Sequence, residues 1–187
     1  MIKVNVRDDY DNEAIKSRPK GRPKTTLLQD ILWLLLKIVV MLLVLVLLFT
    51  FVFGIHRVTD QSMSPAIREG DLVIYYRLDK DFVASDVLVA KLEEETQVRR
   101  VVASEGDSVD ISEDGLLING SLIQEADISE ETLPFVEGIE YPQHIKESYV
   151  FVLGDNRTKA VDSRLYGGVP IRETLGKVIG VIRRRNI

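Results

Sequence analysis

A chain of 187 residues, 45% of them hydrophobic, is long enough for one modest domain and some additional segments. It contains no cysteine, which excludes disulfide bonds, thiolate zinc sites and thiol catalysis. The formal net charge is −5 at pH 7, and residues 56–187 hold 24 acidic against 16 basic side chains, so we do not expect nucleic acid as a partner.

The N-terminal third of the chain changes composition abruptly. Residues 1–30 mix charges with Pro and Gly and show no apolar periodicity, which predicts a disordered tail. Residues 31–55 are then apolar except for Lys37 and Thr50. A run of this length can cross a hydrocarbon core of about 30 Å as a helix, with Lys37 reaching the headgroups from one end. We therefore predict a tail over 1–30 and a transmembrane helix over 31–55.

Two other interpretations of this run are a buried core helix and a cleaved signal peptide. The apolar part of a signal peptide usually has about 7–15 residues and ends at a site of small residues. This run is longer and ends in FGIHRV, which favours an uncleaved anchor. Residues 16–24 carry five basic side chains and no acidic one, so the positive-inside rule predicts a cytoplasmic N-terminus and an extracellular domain after residue 55.

Residues 56–187 are predicted to form one mainly β, antiparallel domain. Their apolar residues come in short runs that are rich in Val, Ile and Tyr and are separated by turn residues. Asn119-Gly120 lies between two apolar arms and is typical of a tight hairpin turn. No long amphipathic helix is expected in this part of the chain. The predicted strands are DLVIYYRL, DVLVAKL, QVRRVVA, SVDI, LLINGSLI, SYVFVLG and LGKVIGVIRR.

Ser62 follows the apolar run closely, where it is either a nucleophile at the membrane surface or an ordinary linker residue. Neither His56 nor His144 has neighbours that indicate a Ser-His-Asp arrangement, and we interpret both as surface or interfacial residues. A lysine can act as the base for a serine only if burial lowers its pKa from about 10.4 toward neutrality. We expect neither a cofactor nor a bound metal.

Three segments after the apolar run carry the strongest functional signal: SMSPAIREGDLVIYYRL, VRRVVASEGDSV and LGDNRTKAVDSRLYGGVP. In order and spacing they resemble the type I signal peptidases over about residues 30–185, and GDNRxxxxDSRxxGxVP is a specific signature. The resemblance implies a β-rich domain whose apolar face rests on the membrane. It also implies a Ser–Lys pair that cleaves signal peptides from exported proteins.

The resemblance assigns Ser62 to the nucleophile position, followed by the matching Met63 and Pro65. Ala66-Ile67 replaces the usual Thr-Leu. In the third segment the family's Asp and Arg support the site and do not react. The other matching residues are Gly70, Asp71, Gly154, Asp155, Asn156, Arg157, Asp162, Ser163, Arg164 and Gly167.

Three departures from the family pattern fall on the chemistry. Arg99 stands where the family has its general-base lysine, and a guanidinium has no acceptor and a pKa of about 12.5–13.8. Ala160 replaces a serine whose hydroxyl holds the lysine amine. Asp60 replaces a Ser or Gly beside the oxyanion hole, where a carboxylate opposes a developing negative charge. We predict that Asp60 and Arg99 lie together and neutralise one another.

These departures favour a non-catalytic protein that keeps the signal-peptidase fold and binds exported preproteins or pilin-like surface proteins at the membrane. The alternative is an active serine endopeptidase with Ser62 as nucleophile and a substitute base. Lys159 is the best candidate for that base, and Lys91 is the other. Ser62, Arg99 and the third segment are expected to converge on one cleft.

Overall fold

A computed structural model describes residues 26–92, 94–125, 128 and 130–184 of the chain. The described residues fall into two compact units, which divide between Leu43 and Val44. Residues 1–25 of the tail predicted over 1–30 lie outside the described residues. Residues 27–30, the last four of the predicted tail, belong to a helix.

Helix α1 spans Leu27–Leu47 and continues as a π-helical turn over Leu48–Val52. Its 26 residues rise about 39 Å, which is enough to cross a hydrocarbon core of about 30 Å. Among the described residues it is the one helix that meets this requirement of length and apolarity. It starts and ends earlier than the predicted bounds of 31 and 55. Phe53–Arg57 is a strand instead, because its backbone pairs in register with the following strand.

The part of the chain after Val52 that the structure describes is built from short strands, as predicted. The strands are β1 Phe53–Arg57, β2 Leu72–Tyr76, β3 Val87–Leu92, β4 Glu95–Ala103, β5 Ser108–Ser112, β6 Gly115–Ile118, β7 Ser121–Leu122, β8 Gln143–His144, β9 Tyr149–Leu153, β10 Val169–Pro170 and β11 Thr174–Ile182. Seven of them form one antiparallel sheet in the order β1-β2-β11-β3-β4-β9-β10, and four form a second sheet in the order β7-β6-β5-β8. Helical structure in this part is limited to α2, Ser163–Tyr166, and a 3₁₀ turn, Ile171–Glu173.

The hairpin predicted at Asn119-Gly120 is confirmed. β6 and β7 pair antiparallel on either side of it, with Ile118 opposite Ser121. Asn119 and Gly120 have φ values of 53° and 76°, and positive φ at both central residues is the requirement of a type I′ turn. Asparagine and glycine adopt this conformation at little cost, which is why the dipeptide predicts the turn.

Strand β9 is buried on both faces, so it appears in the sequence as a continuous apolar run. In β9, Val150 and Val152 pack with Leu88, Val101 and their neighbours in one core cluster. The alternate residues Phe151 and Leu153 pack in a second cluster on the other face. This double burial makes β9 a rigid base for the segment that follows it.

Candidate active site

Ser62 lies in the loop of residues 58–71 between β1 and β2. The neck of this loop is closed by backbone hydrogen bonds from Val58 N to Asp71 O, at 2.9 Å, and from Gly70 N to Val58 O, at 2.8 Å. Met63 and Ile67 are buried in a core cluster beneath the loop. Ser62 itself is only 3% exposed. The loop is therefore packed against the domain and holds its serine in a defined position.

Asp60 is the centre of the polar contacts around Ser62. Its Oδ1 accepts the backbone N–H of Ser62 at 3.3 Å, and its Oδ2 accepts the Ser62 hydroxyl at 3.0 Å. The same Oδ2 accepts a hydrogen bond from Nη1 of Arg99 at 3.2 Å, which is also an ion pair. The predicted pairing of Asp60 with Arg99 is confirmed, and the carboxylate additionally holds both donors of Ser62.

Arg99 is almost entirely buried, with 1% of its surface exposed. Its guanidinium donates to the Val161 carbonyl through Nε and Nη2, at 3.0 and 2.9 Å, and to the Val98 carbonyl through Nη1, at 2.6 Å. Together with Asp60, these acceptors satisfy the buried cation, which would otherwise be costly. A guanidinium held in this way has only donors, so it cannot take a proton from Ser62.

The third segment closes the site from the side of β9. The backbone N–H of Asn156 donates to the carbonyl of Ser62 at 2.9 Å, which ties this segment directly to the serine loop. Arg99 meets the same segment at Val161. The predicted convergence of Ser62, Arg99 and residues 155–164 is therefore confirmed, although the three segments lie far apart in the sequence.

Asp162 organises the interior of this segment. It is completely buried, and its carboxylate accepts hydrogen bonds from the backbone N–H of Gly154, from the backbone N–H of Arg164 and from Nε and Nη2 of Arg164. The Arg164 guanidinium also donates to the carbonyls of Arg157 and Leu133. A buried carboxylate and guanidinium with this many partners form a satisfied network, which fixes the course of residues 154–164.

Two further ion pairs brace the segment from outside. Arg100 donates from Nε and Nη2 to the two oxygens of Asp155, at 2.7 Å each. Arg157 donates to both oxygens of Glu125, at 2.6 and 2.5 Å, and contacts the hydroxyl of Thr132. Glu125 and Thr132 were not singled out in the sequence, because no local pattern indicates that they meet Arg157 across the fold.

The remaining positions of the third segment, among them the departure Ala160, serve packing and backbone geometry. Ser163 Oγ accepts the backbone N–H of Val152 at 3.0 Å. Ala160 is 2% exposed and lies close to Gly154, where a Cβ on the glycine would collide with the Ala160 methyl group and with the Ser62 carbonyl. Asn156 accepts the backbone N–H of Ala160 at 3.0 Å through its carbonyl.

The lysines considered as substitute bases are not in the environment that this role requires. Lys159 is exposed, and its Nζ donates to the side chain of Gln61 at 3.1 Å. Lys91 is exposed on β3. Because both side chains are exposed, neither supplies the buried amine that a Ser–Lys pair requires.

Two titratable side chains near the site have shifted pKa values. Burial lowers the pKa of His56 below its ordinary value, and the negative charge of Asp60 partly opposes this shift. Burial raises the pKa of the Tyr166 hydroxyl above its ordinary value, and the positive charge of Arg99 works against that shift. At neutral pH both groups are therefore favoured in their uncharged forms. His144 is exposed on β8.

The chemical consequence of this geometry concerns the donors at Ser62. Acyl transfer by a serine needs a base for the hydroxyl and free N–H donors for the developing oxyanion, of which the backbone N–H of the nucleophile is a common one. At Ser62 the hydroxyl and the N–H both donate to the Asp60 carboxylate. Among the described residues, no group of three or more His, Asp or Glu side chains is arranged to hold a metal ion.

Comparison with known proteins is consistent with the three sequence segments. The family described as signal peptidase, peptidase S26, matches residues 31–182. A signal peptidase I from Bacillus caldolyticus is 30% identical over 142 residues, which cover 68% of this chain and 78% of that protein. A probable thylakoidal processing peptidase 2 from Arabidopsis thaliana is 32% identical over 138 residues, 65% of this chain. The match spans only 36% of the length of that peptidase, and 39% of a second thylakoidal peptidase.

Among solved structures, a signal peptidase I from Enterococcus faecalis V583 matches 53% of this chain and 97% of that protein. The two share 21% sequence identity, with a TM-score of 0.44.

Proposed function

Because the chain belongs to the signal peptidase family, peptidase S26, we propose that it is a membrane-anchored member which binds exported proteins without cleaving them. The apolar N-terminal helix and the signal peptidase relatives support membrane anchoring. In the proposed topology the N-terminus is cytoplasmic and the β domain lies outside the cell membrane. The proposed clients are exported preproteins or pilin-like surface proteins.

The observation that carries this proposal is the set of contacts made by Asp60. One carboxylate binds the Ser62 hydroxyl, the Ser62 N–H and the Arg99 guanidinium. The loss of a general base typically costs about 10²–10⁴ in rate, and the loss of one oxyanion donor about 10²–10³. Arg99 cannot act as the base, and the Asp60 carboxylate binds the Ser62 N–H that an oxyanion would need. Both losses therefore affect the same serine.

The edge of β4 supports a binding role. Residues 95–99 pair with β3 on one side, whereas β9 pairs with β4 only from Arg100 onward. Within the described residues, no strand pairs with the other side of this stretch. An extended peptide can add to such an edge through main-chain hydrogen bonds.

A cavity of about 720 Å³ lies beside this edge. Gln97, Val161, Leu165 and Tyr166 are among its lining residues. Oε1 of Gln97 is buried and has no hydrogen-bond partner in the described part of the chain. An unsatisfied buried acceptor is costly, so a donor from a bound peptide would stabilise the complex.

The proposal is tested with the full-length protein in detergent and a fluorescent precursor that carries a signal peptide. We expect wild type and Ser62→Ala to bind the precursor equally and neither to release a cleaved product. Gln97→Arg removes the unsatisfied acceptor and places a larger, cationic side chain beside the β4 edge, and it should weaken binding at least about tenfold, the equivalent of about 1.4 kcal/mol. Gln124→Arg, the same substitution at an exposed position, should bind as wild type does. Cleavage that depends on Ser62, or an absence of binding, would contradict the proposal.

A second candidate is an active serine endopeptidase, and one observation favours it. The Ser62 hydroxyl already donates to an acceptor, Oδ2 of Asp60, at the distance expected between a nucleophile and its base. In that case Asp60, rather than Lys159, is the substitute base. Asp60→Asn would then abolish precursor cleavage, while Lys159→Ala would leave it unchanged.

A further inference from the structure

One face of the sheet formed by β1, β2 and β11 is apolar and exposed. Ile55, Leu72 and Ile182 are 53%, 36% and 54% exposed. Leu72 pairs with Arg57 on one side and with Ile182 on the other, and directly opposed residues of antiparallel strands point to the same face. Ile55 precedes Arg57 by two residues and shares this face as well. The alternate residues Val73 and Tyr75 are buried in the core, so the apolar side chains on the outer face serve no purpose in packing the domain.

A basic cavity adjoins this face. It has a volume of about 500 Å³, and Arg57, Arg68 and Arg184 contribute to its lining together with Glu69 and Asp71. Within the described residues, none of these three guanidiniums forms an ion pair or a side-chain hydrogen bond. The buried arginines around Ser62 are different, since each is paired with a carboxylate.

The two carboxylates of the cavity are already engaged. Asp71 is 3% exposed, and its two oxygens accept the backbone N–H groups of Arg68 and Arg184, at 3.0 Å each. Glu69 accepts a hydrogen bond from the side chain of Gln61 at 3.3 Å. The cavity therefore has three exposed guanidiniums against two carboxylates, each of which already accepts a hydrogen bond, and this excess of positive charge favours an anion.

The cavity lies close in the chain to the end of the apolar helical segment, which bears on the kind of anion that would fit it. Strand β1 begins at Phe53, directly after the helical segment ends at Val52. Arg57 is five residues beyond Val52, so the backbone can separate them by at most about 18 Å. An apolar face next to guanidiniums matches a lipid, which has acyl chains beside a phosphate, better than it matches a soluble anion.

We propose that Arg57, Arg68 and Arg184 bind the phosphate of an anionic lipid headgroup while Ile55, Leu72 and Ile182 contact the adjoining acyl region. The inference rests on the membrane placement in the proposed function. It assigns to this corner of the domain a headgroup site that is separate from the Ser62 cleft. Each arginine near an anionic surface contributes about a fivefold preference for it.

The test uses the full-length protein in nanodiscs, and the absence of cysteine allows a single label to be introduced. A nitroxide at Leu72→Cys reports immersion through its accessibility to lipid-soluble oxygen. We expect accessibility to rise from phosphatidylcholine discs to discs of equal parts phosphatidylcholine and phosphatidylglycerol. The rise should disappear at about 1 M NaCl, where the Debye length is about 3 Å.

The three substitutions Arg57→Gln, Arg68→Gln and Arg184→Gln combined should abolish the response to phosphatidylglycerol, because they remove the positive charges of the cavity. The triple variant should still fold, since these exposed side chains support no described contact. Arg172→Gln, at another exposed arginine, should leave the response intact. An equal response in the triple variant and the wild type would overturn the proposal, as would a wild type that does not respond.

Inorganic phosphate distinguishes the lipid from a free anion. Phosphate added to phosphatidylcholine discs should leave the label unchanged. If ³¹P line broadening shows phosphate binding that requires the three arginines while phosphatidylglycerol has no effect, the cavity is a small-anion site and the lipid assignment is wrong. Precursor binding is measured on the same samples, so a failure of the proposed function is seen separately from a failure of the headgroup site.

Discussion

The Oγ of Ser62 donates a hydrogen bond to Oδ2 of Asp60 across 3.0 Å. That carboxylate oxygen also accepts a hydrogen bond from Nη1 of Arg99, so the described contacts link the serine to the arginine through an aspartate. A catalytic serine needs an acceptor that can give the proton onward and donors that are free for an oxyanion. In this chain the acceptor and the cation neutralise one another, and the serine N–H is bound to the same carboxylate.

Substitutions of Asp60 and of Arg99 should have coupled effects on stability, because the two side chains form an ion pair. Arg99→Glu places a second carboxylate beside Asp60 in a buried position and should lower the free energy of unfolding by about 3–5 kcal/mol. Asp60→Lys should be milder, because Asp60 is partly exposed. The double reversal should recover about 1–2 kcal/mol relative to the sum of the single variants, as measured by denaturant unfolding. Additive effects would show that the pair contributes no coupling energy.

Restoring peptidase activity should require more than one residue. Arg99→Lys alone should leave cleavage of a precursor undetected, because Asp60 still binds the Ser62 N–H and Ala160 offers no hydroxyl to a lysine amine. Arg99→Lys combined with Ala160→Ser and Asp60→Gly should recover part of the rate that a general base supplies, about 10²–10⁴-fold. Adding Ser62→Ala to this triple variant is the control and should remove the activity. Equal cleavage by the single and triple variants would show that Asp60 is not an obstacle.

Gly154 should be intolerant of a side chain. A Cβ at this position meets the Ala160 methyl group and lies 2.6 Å from the carbonyl oxygen of Ser62. Gly154→Ala should therefore displace the serine loop and reduce stability by about 1–3 kcal/mol. The matched control is Gly180→Ala, where a Cβ has no neighbour within 4 Å. Thermal unfolding that fails to separate the two variants would contradict the close packing of Gly154 against Ser62.

The contribution of Asp71 to stability should depend on pH. Burial opposes ionisation of this carboxyl, but the backbone N–H groups of Arg68 and Arg184 and the charges of Arg183 and Arg68 together hold its pKa below the ordinary value. A carboxyl with a lowered pKa in the folded state stabilises the fold above its unfolded pKa of about 3.9, and this contribution is lost as the pH falls through the folded pKa.

Asp71→Asn should accordingly cost about 1–2 kcal/mol at pH 7 and progressively less below pH about 4, measured by denaturant unfolding across pH. Asp114→Asn, at an exposed loop position, is the control and should leave the free energy of unfolding at pH 7 close to that of the wild type. A loss of stability in Asp71→Asn that stays constant down to low pH would argue against an ionised Asp71 as the source.

Local patterns in the sequence were sufficient for most of the strands, for the hairpin and for the apolar helix, whereas β1, β8 and β10 were not predicted. Asn119-Gly120 predicts its turn because two adjacent residues must both adopt positive φ, which is a local requirement. The end of the helix could not be read in this way. Phe53, Gly54 and Ile55 are as apolar as the residues before them, and they become a strand because β2 pairs with them.

The sequence by itself indicated that a serine, an arginine and an aspartate occupy the positions of this site, because the resemblance of three segments to the type I signal peptidases assigns those positions. It also indicated that the opposite charges of Asp60 and Arg99 would pair. Only the tertiary structure decided that Asp60 binds both donors of Ser62, that Glu125 supports Arg157 and that Lys159 is exposed. Such contacts depend on the packing of segments far apart in the chain, and distances between their atoms are not encoded in any local pattern.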